Sequence, residues 1–353
     1  MIATIDGLPS GSGPATGRGT AGLIAAVRAL GLVGRRVLVP ANLCGIAVEG
    51  LLAAGARPVL HDVSPETGAA TPDLIAEAWD ADMGALVAVH GVSVPLDMAA
   101  IMDWARNRRL PVIEDVCLAL GATCGGVPAG ALGDAAFYSF GGGKTADAGE
   151  GGAVTARDPE AAVRLAGIVE EMPELAQADR DAVAAMETAL RGLRVAGAPE
   201  AEHRAPYRAC RPHIARRLHA GGAERVASVL ADLPGNVAHR RAMARAWVGA
   251  LAGADVRPAE LPEGAAPWRF NILVDPARRD AVVDALRGAG HGASTWYPPV
   301  DAIFGEAVEV AGPLTGARHF AARVVNLWVD AATTPDRVAE GAALIRQTLE
   351  APA

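Results

Sequence analysis

The chain has 353 residues, half of them hydrophobic (51%), and a formal net charge of −8. Such a length carries one large unit plus a smaller one, with a sizeable buried core. The acidic balance argues against a nucleic-acid surface, no apolar run reaches the roughly 18 residues of a membrane span, and the start "MIATIDGLPSGSG" lacks the basic-then-apolar order of a secretory signal. A cytoplasmic protein with neither nucleic-acid nor membrane partners is expected. Cys44, Cys117, Cys124 and Cys210 form no CxxC and no pair-plus-His spacing, so they read as reduced thiols and no metal site is expected.

Residues 1–16, rich in Gly, Ser and Pro, predict irregular structure. The pattern "GLIAAVRALGL" (22–32) predicts a helix. Short apolar runs follow at 36–40, 57–63, 84–90, 110–116, 134–140 and 151–156. Between the first four lie "CGIAVEGLLAAG", "TPDLIAEAWDAD" and "PLDMAAIMDWARNRR", each with helical spacing of apolar residues. Strands apolar on both sides, alternating with helices, imply a mostly parallel sheet covered on both faces. Beyond about residue 158 the chain reads as mainly helical. A second α+β unit follows: the helix "NVAHRRAMARAWVGALAG", the strand "WRFNILVD", the helix "ARRDAVVDALRGAG", the strand or arm "ASTWYPPV", the strand "ARVVNLWV" and the final helix "PDRVAEGAALIRQTLE". The break at "DLPGN" divides a large unit, 1–235, from a small C-terminal one, 236–353.

Two glycine-rich stretches invite nucleotide readings. "GRGTAG" (17–22) matches GxGxxG, but "SGSGPAT" before it is poor strand material, and the dinucleotide motif needs a strand there. A glycine turn opening a helix remains, with Gly19, Thr20 and Ala21 at the N-terminus, where free N–H groups and the helix dipole favour a phosphate; an ordinary helix cap is the other reading. "GGGKT" (141–145) resembles the end of a phosphate loop, but the first glycine of GxxxxGK[ST] would fall at Tyr138, and "TADAGEGGAVTA" returns to a strand instead of a helix.

Lys144 in that stretch is the only lysine among 32 Lys and Arg residues. A genome that favours arginine explains the depletion of lysine but not the one that persists. Asp115 ends the strand "LPVIED", where open α/β sheets bind ligands. Ser139 ends the next strand, and glycines between it and Lys144 allow a sharp turn. Pyridoxal phosphate needs these parts: an amine for a Schiff base, a carboxylate for the pyridine nitrogen, and a hydroxyl and helix amides for the phosphate. Burial would lower the pKa of the freed amine and suit it to proton transfer.

The stretches "GRGTAGLIAAVRALGL", "GRRVLVPANLCGIAVEGLLAAGARPVLHDVSPETG", "VAVHGVSVPLDMAAI" and "LPVIEDVCLALGATCGGVPAGALGDAAFYSFGGGKTADAGEGGAVTA", and more faintly "GASTWYPPV", resemble the DegT/DnrJ/StrS-type aminotransferases. The resemblance covers residues 17–156 well. It implies the aspartate-aminotransferase-like fold (fold type I), pyridoxal 5'-phosphate as cofactor, and a homodimer with active sites shared between subunits. Carried over position by position, it makes Lys144 the Schiff-base lysine and Asp115 the partner of the pyridinium nitrogen. Ser139, Thr20 and the Ala21 amide become phosphate ligands. It places Tyr297 in the substrate-side segment and makes Arg211 of the partner subunit a candidate contributor to the phosphate site; a solvated basic helix face is the other reading of Arg211.

The chain departs from the family at several cofactor-facing positions. Leu118 stands where Gln or His is usual, Cys44 where an aromatic stacks, Thr145 where Asn follows the lysine, Arg18 where the "SGT" serine is usual, and Trp296-Tyr297 where a His-Tyr pair is familiar. Fewer residues than usual precede the first glycine turn. His90 either points into the site or is a satisfied structural histidine. Arg269 either binds a substrate carboxylate or lies on the surface. The expected function is transfer of an amino group from glutamate or glutamine to a keto or aldehyde acceptor (a sugar, a cyclitol or another small intermediate of specialised metabolism). A pyridoxal phosphate enzyme of elimination, replacement, decarboxylation or carbon–carbon bond formation is the alternative; a non-catalytic regulatory homologue is the third reading.

Overall fold

In the computed structural model, residues 2–91, 95–295 and 298–351 are described. The chain opens with strands β1 (Thr4–Leu8) and β2 (Gly11–Thr16) and helix α1 (Gly19–Ala29). Alternation follows: β3 (Arg36–Pro40), α2 (Gly45–Ala54), β4 (Arg57–His61), α3 (Pro72–Ala78), β5 (Met83–Val89), α4 (Met98–Arg106) and β6 (Val112–Asp115). A small hairpin, β7 (Thr123–Cys124) and β8 (Val127–Pro128), precedes β9 (Ala135–Ser139) and β10 (Gly152–Ala156). Each apolar run read from the sequence is a strand because it is buried on both sides; β6 is buried throughout and β5 at all but its last residue.

Nine strands form one sheet in the order β1-β2-β10-β9-β6-β5-β3-β4-β14, where β14 is Glu309–Val310. Pairing is parallel from β14 through β9, and β10, β2 and β1 add antiparallel strands at the other edge. One face is covered by a core built on α1 and α2, the other by α3 and α4. Helix α1 is buried at every position except Arg28, which explains its almost uninterrupted small and aliphatic sequence.

Residues 4–16 are a correction. They form the β1–β2 hairpin, and β2 pairs with β10, so a strand does precede Gly17. Packing overrides propensity here. A Cβ at Gly13 would lie 2.2 Å from the Val154 carbonyl oxygen, so only glycine lets β2 come so close.

Helices α5 (Pro159–Glu171), α6 (Gln177–Val195), α7 (Arg204–Cys210) and α8 (Ala220–Ala231) follow β10. The division expected at residue 235 falls in the first turn of α9 (Leu233–Ala250), which begins on Leu233-Pro234. A second, four-stranded sheet then forms in the order β11-β12-β15-β13 from β11 (Arg257–Pro258), β12 (Phe270–Leu273), β13 (Ala293–Ser294) and β15 (Val324–Leu327). It packs with α9, α10 (Pro276–Gly288) and α13 (Pro335–Glu350) around its own core. Between β13 and β15 the chain returns to the large sheet through α11 (Asp301–Phe304), β14 and α12 (Thr315–Ala321). The Asp62 carboxylate accepts the N–H groups of Gly316 and Ala317 at 2.7 Å and holds that excursion in place.

Helices α3, α4, α5, α10 and α13 open on a capping Thr or Asp whose side chain accepts an N–H of the first turn. Helix α1 does not; its N-cap is Arg18. Among the described residues no helix is long and apolar enough to cross a membrane.

Candidate active site

Strands β2, β9, β6, β5 and β3 all run toward one edge of the sheet, so their C-terminal ends deliver chemistry to a common place. A cleft of about 700 Å³ lies there, lined by Gly19, Thr20, Cys44, Asp115, Leu118, Ser139 and Lys144 among others. Residues far apart in the chain thus meet: the start of α1, the ends of β6 and β9, and the glycine turn after β9.

Asp115 is 6% exposed, and its Oδ1 accepts the Cys117 N–H at 2.9 Å. Burial pushes its pKa above the usual carboxyl range, and the Cys117 N–H and thiol and the Lys144 charge pull it back in part. The Cys117 thiol is itself pushed up by burial and by the Asp115 charge.

Lys144 follows a turn whose Gly143 adopts a left-handed φ of 78°. Asp147 holds that turn by accepting the N–H groups of Gly143 (2.7 Å) and Gly149 (2.8 Å). Trp268 reaches over from the second unit: its indole N–H donates to the Gly143 carbonyl at 2.6 Å, and the Lys144 ammonium lies 5.9 Å from its ring centroid. The following Glu150 is gripped by Arg180 of α6 at 2.6 Å and Arg225 of α8 at 2.6 Å, and Arg180 holds its carboxyl below the usual range. The lysine turn is therefore fixed from three sides. We expect Trp268→Phe, which keeps the ring but loses the N–H, to lower kcat about two- to tenfold, and Trp268→Leu to lower it about 10²-fold through misplacement of the amine. Single-turnover kinetics of the two variants measure this, and equal rates for both would show that the ring face contributes nothing.

The hydroxyls of Thr20 and Ser139 face the cleft, and neither has a hydrogen-bond partner among the described residues. A Cβ at Gly19 would sit 2.9 Å from Cys117 Sγ and 3.0 Å from Ser139 Cβ, so glycine is what lets the helix end approach the end of β9. The first N–H groups of a helix have no intrahelical partner, and at Gly19 and Thr20 they belong to residues that line the cleft.

Four expectations are corrected. The Ala21 N–H donates to the Arg18 carbonyl at 3.0 Å, and Ala21 is fully buried away from the cleft, so its amide is engaged within the helix turn. His90 is completely buried with Nε2 2.9 Å from Glu114 Oε2, which is the structural reading and not the site one. The same Glu114 accepts the N–H groups of Gly130, Leu132 and Gly133, so the pair braces the loop entering β9. Arg269 is neither on the surface nor in the cleft. It is 6% exposed, with its guanidinium 4.6 Å and 4.1 Å from the ring centroids of Trp268 and Trp328 and 3.7 Å from Asp330. The guanidinium expected to reach a partner subunit is engaged at home, because Arg211 pairs with the fully buried Glu49 of α2. Tyr297, and Trp296 beside it, lie outside the described residues.

Sequence reasoning missed Trp268 and a whole wall of the cleft. Val183, Met186 and Leu190 of α6, Tyr207 of α7 and the pair Asp179–Arg216 line it. The signal for α6 was its amphipathic spacing, which shows a helix but not what the helix faces.

The family model of the DegT/DnrJ/EryC1/StrS aminotransferases matches residues 11–346. The chain belongs to that family. Among relatives of this aminotransferase, the UDP-N-acetyl-3-dehydro-alpha-D-glucosamine 3-aminotransferase of Acidithiobacillus ferrooxidans is 30% identical over 357 residues, covering 99% of this chain and 86% of its own. The L-glutamine:scyllo-inosose aminotransferase of Streptomyces griseus is 38% identical over 147 residues, 41% of this chain and 35% of its own. The crystal structure of the aminotransferase TlmJ from Streptoalloteichus hindustanus superposes with a TM-score of 0.76 at 25% identity, covering 95% of this chain and 85% of its own. The family is one of pyridoxal phosphate-dependent aminotransferases, and this member has its fold type I architecture with a mostly parallel central sheet.

Proposed function

We propose that this aminotransferase binds pyridoxal phosphate in the cleft and moves an amino group from glutamate or glutamine to the carbonyl of a sugar, a cyclitol or a similar small biosynthetic intermediate. The observation that carries the reading is the convergence of the only lysine, a buried carboxyl, two partnerless hydroxyls and a helix N-terminus on one cleft. The named activities of the relatives, on a nucleotide-linked amino sugar precursor and on an inosose, support the acceptor class.

The residues present fit the cofactor. Two hydroxyls and the Thr20 N–H at the start of α1 are donors in search of acceptors, which a phosphate supplies. Asp115, a buried carboxyl that burial disfavours as an anion, gains from a cationic ring nitrogen beside it. Lys144 Nζ is the only side-chain amine able to link to an aldehyde. Leu118 and Cys44 line the same cleft without adding charge. The bound cofactor would supply an electron-accepting ring that loosens the bonds of the substrate's amino-bearing carbon.

The chain's own groups do the rest. Lys144 Nζ carries the proton at that carbon. The Asp115 carboxylate keeps a proton on the ring nitrogen. Val183, Met186, Leu190 and Tyr207 wall off water, which strengthens each charge interaction inside. A homodimer belongs to the same reading, with the partner's contribution coming from a residue other than Arg211.

The test is spectroscopic. Purified protein titrated with pyridoxal phosphate should gain a visible band; glutamine or glutamate should bleach it, and a keto sugar or inosose should restore it. No band at saturating cofactor would overturn the proposal, and a band that no amino donor bleaches would favour elimination or replacement chemistry instead.

A further inference from the structure

Arg18 occupies the position where a cation is least welcome. A helix N-terminus carries roughly half a positive charge, and its N-cap favours Ser, Thr, Asp or Asn. Five other helices of this chain obey that rule. Helix α1, eleven residues long, instead has Arg18 as an extended N-cap, no side-chain cap and no acidic residue in its first turn.

No direct ion pair holds it among the described residues, although Glu187 lines the same cleft. Arg18 is half-buried and lines the cleft, and no carboxylate pairs with it among the described residues. Three other basic groups of the cleft are engaged: Arg216 and His213 by Asp179 at 3.0 Å and 2.8 Å, and Arg180 by Glu150. Beside Arg18, Thr20 is 6% exposed and lines the cleft, and its hydroxyl has no hydrogen-bond partner among the described residues. A helix dipole, a guanidinium and a partnerless hydroxyl thus present only positive or donor character to one space. Without an anion the arrangement repels itself; with one, every group gains.

Resting on the reading of the cleft as a pyridoxal phosphate site, we infer that Arg18 binds the cofactor's phosphate, so that this chain supplies a guanidinium to the anion from the N-cap of α1. A guanidinium presents paired donors suited to phosphate, which an ammonium does not.

Pyridoxal, which has the ring and aldehyde but no phosphate, isolates the contact. Apoprotein is titrated with pyridoxal phosphate and with pyridoxal, in wild type, Arg18→Ala, Arg18→Ser and Arg18→Lys. Loss of a charge-assisted contact should weaken pyridoxal phosphate binding about ten- to a hundredfold in the Ala and Ser variants, leave pyridoxal binding unchanged, and be partly rescued by Lys. Arg18→Ser restores a capping hydroxyl, so its apoprotein should melt at a higher temperature than wild type while its cofactor affinity falls. Equal losses for both compounds would assign Arg18 a merely structural role and overturn the inference, as would no loss for either. A wild type that binds neither overturns the cofactor reading, and this inference with it.

Discussion

Lys144→Ala should abolish the visible band of the cofactor-loaded protein and lower aminotransfer by about 10⁴-fold or more, because one residue supplies both the covalent link and the proton carrier. Lys144→Arg should do the same. A guanidinium keeps its proton at every accessible pH and forms no such link, even though it preserves the charge near Trp268. The fold should tolerate both changes, since the turn is held by Asp147, Trp268 and the grip on Glu150, not by the lysine side chain. Added primary amines of small volume should restore part of the Ala variant's proton transfer. An Ala variant that retains the band, or turns over at the wild-type rate, would remove Lys144 from the mechanism.

Asp115→Asn should lower kcat by about 10²- to 10³-fold, the scale for loss of one preorganised electrostatic contact in a buried site. Its effect on the apoprotein should run the other way. The folded-state pKa of Asp115 is raised above its unfolded value by burial, so the group favours folding below the ordinary carboxyl range. That contribution is lost as pH rises through the folded pKa, where a buried charge must form. Above that folded pKa the wild-type apoprotein carries the buried charge; Asn does not, and still offers an oxygen to the Cys117 N–H. The variant should therefore gain on wild type in melting temperature as pH rises through the folded pKa, with the difference vanishing in acid. Melting curves of the two apoproteins across pH check the sign. A wild type that gains on the variant as pH rises would show that Asp115 is already stabilised as an anion without cofactor.

These two residues were legible because their chemistry depends on residue type and strand position. Asp115 closes a short apolar run, and runs such as "VIED" and "AAFYS" are strands since both their faces are buried. The hairpin at residues 4–16 was not legible, because glycine and proline argue against a strand until the Val154 carbonyl that requires Gly13 is in place. Local spacing likewise gave no sign that α6 would wall the cleft. His90, Arg269 and Arg211 were residues of a suitable type whose partners lie elsewhere in the chain: Glu114, the Trp268 and Trp328 rings, and Glu49.

The sequence by itself determined the family, the alternation of strands and helices, and the candidacy of the single lysine, since each rests on residue identity and short-range periodicity. Only the tertiary structure decided which cations are spent on internal pairs and which, like Arg18, face the cleft unpaired. It alone also showed that Trp268 holds the lysine turn across 125 residues of chain. Periodicity records which side of an element is buried, whereas a hydrogen bond or ion pair between distant segments exists only once the sheet edge has brought their ends together.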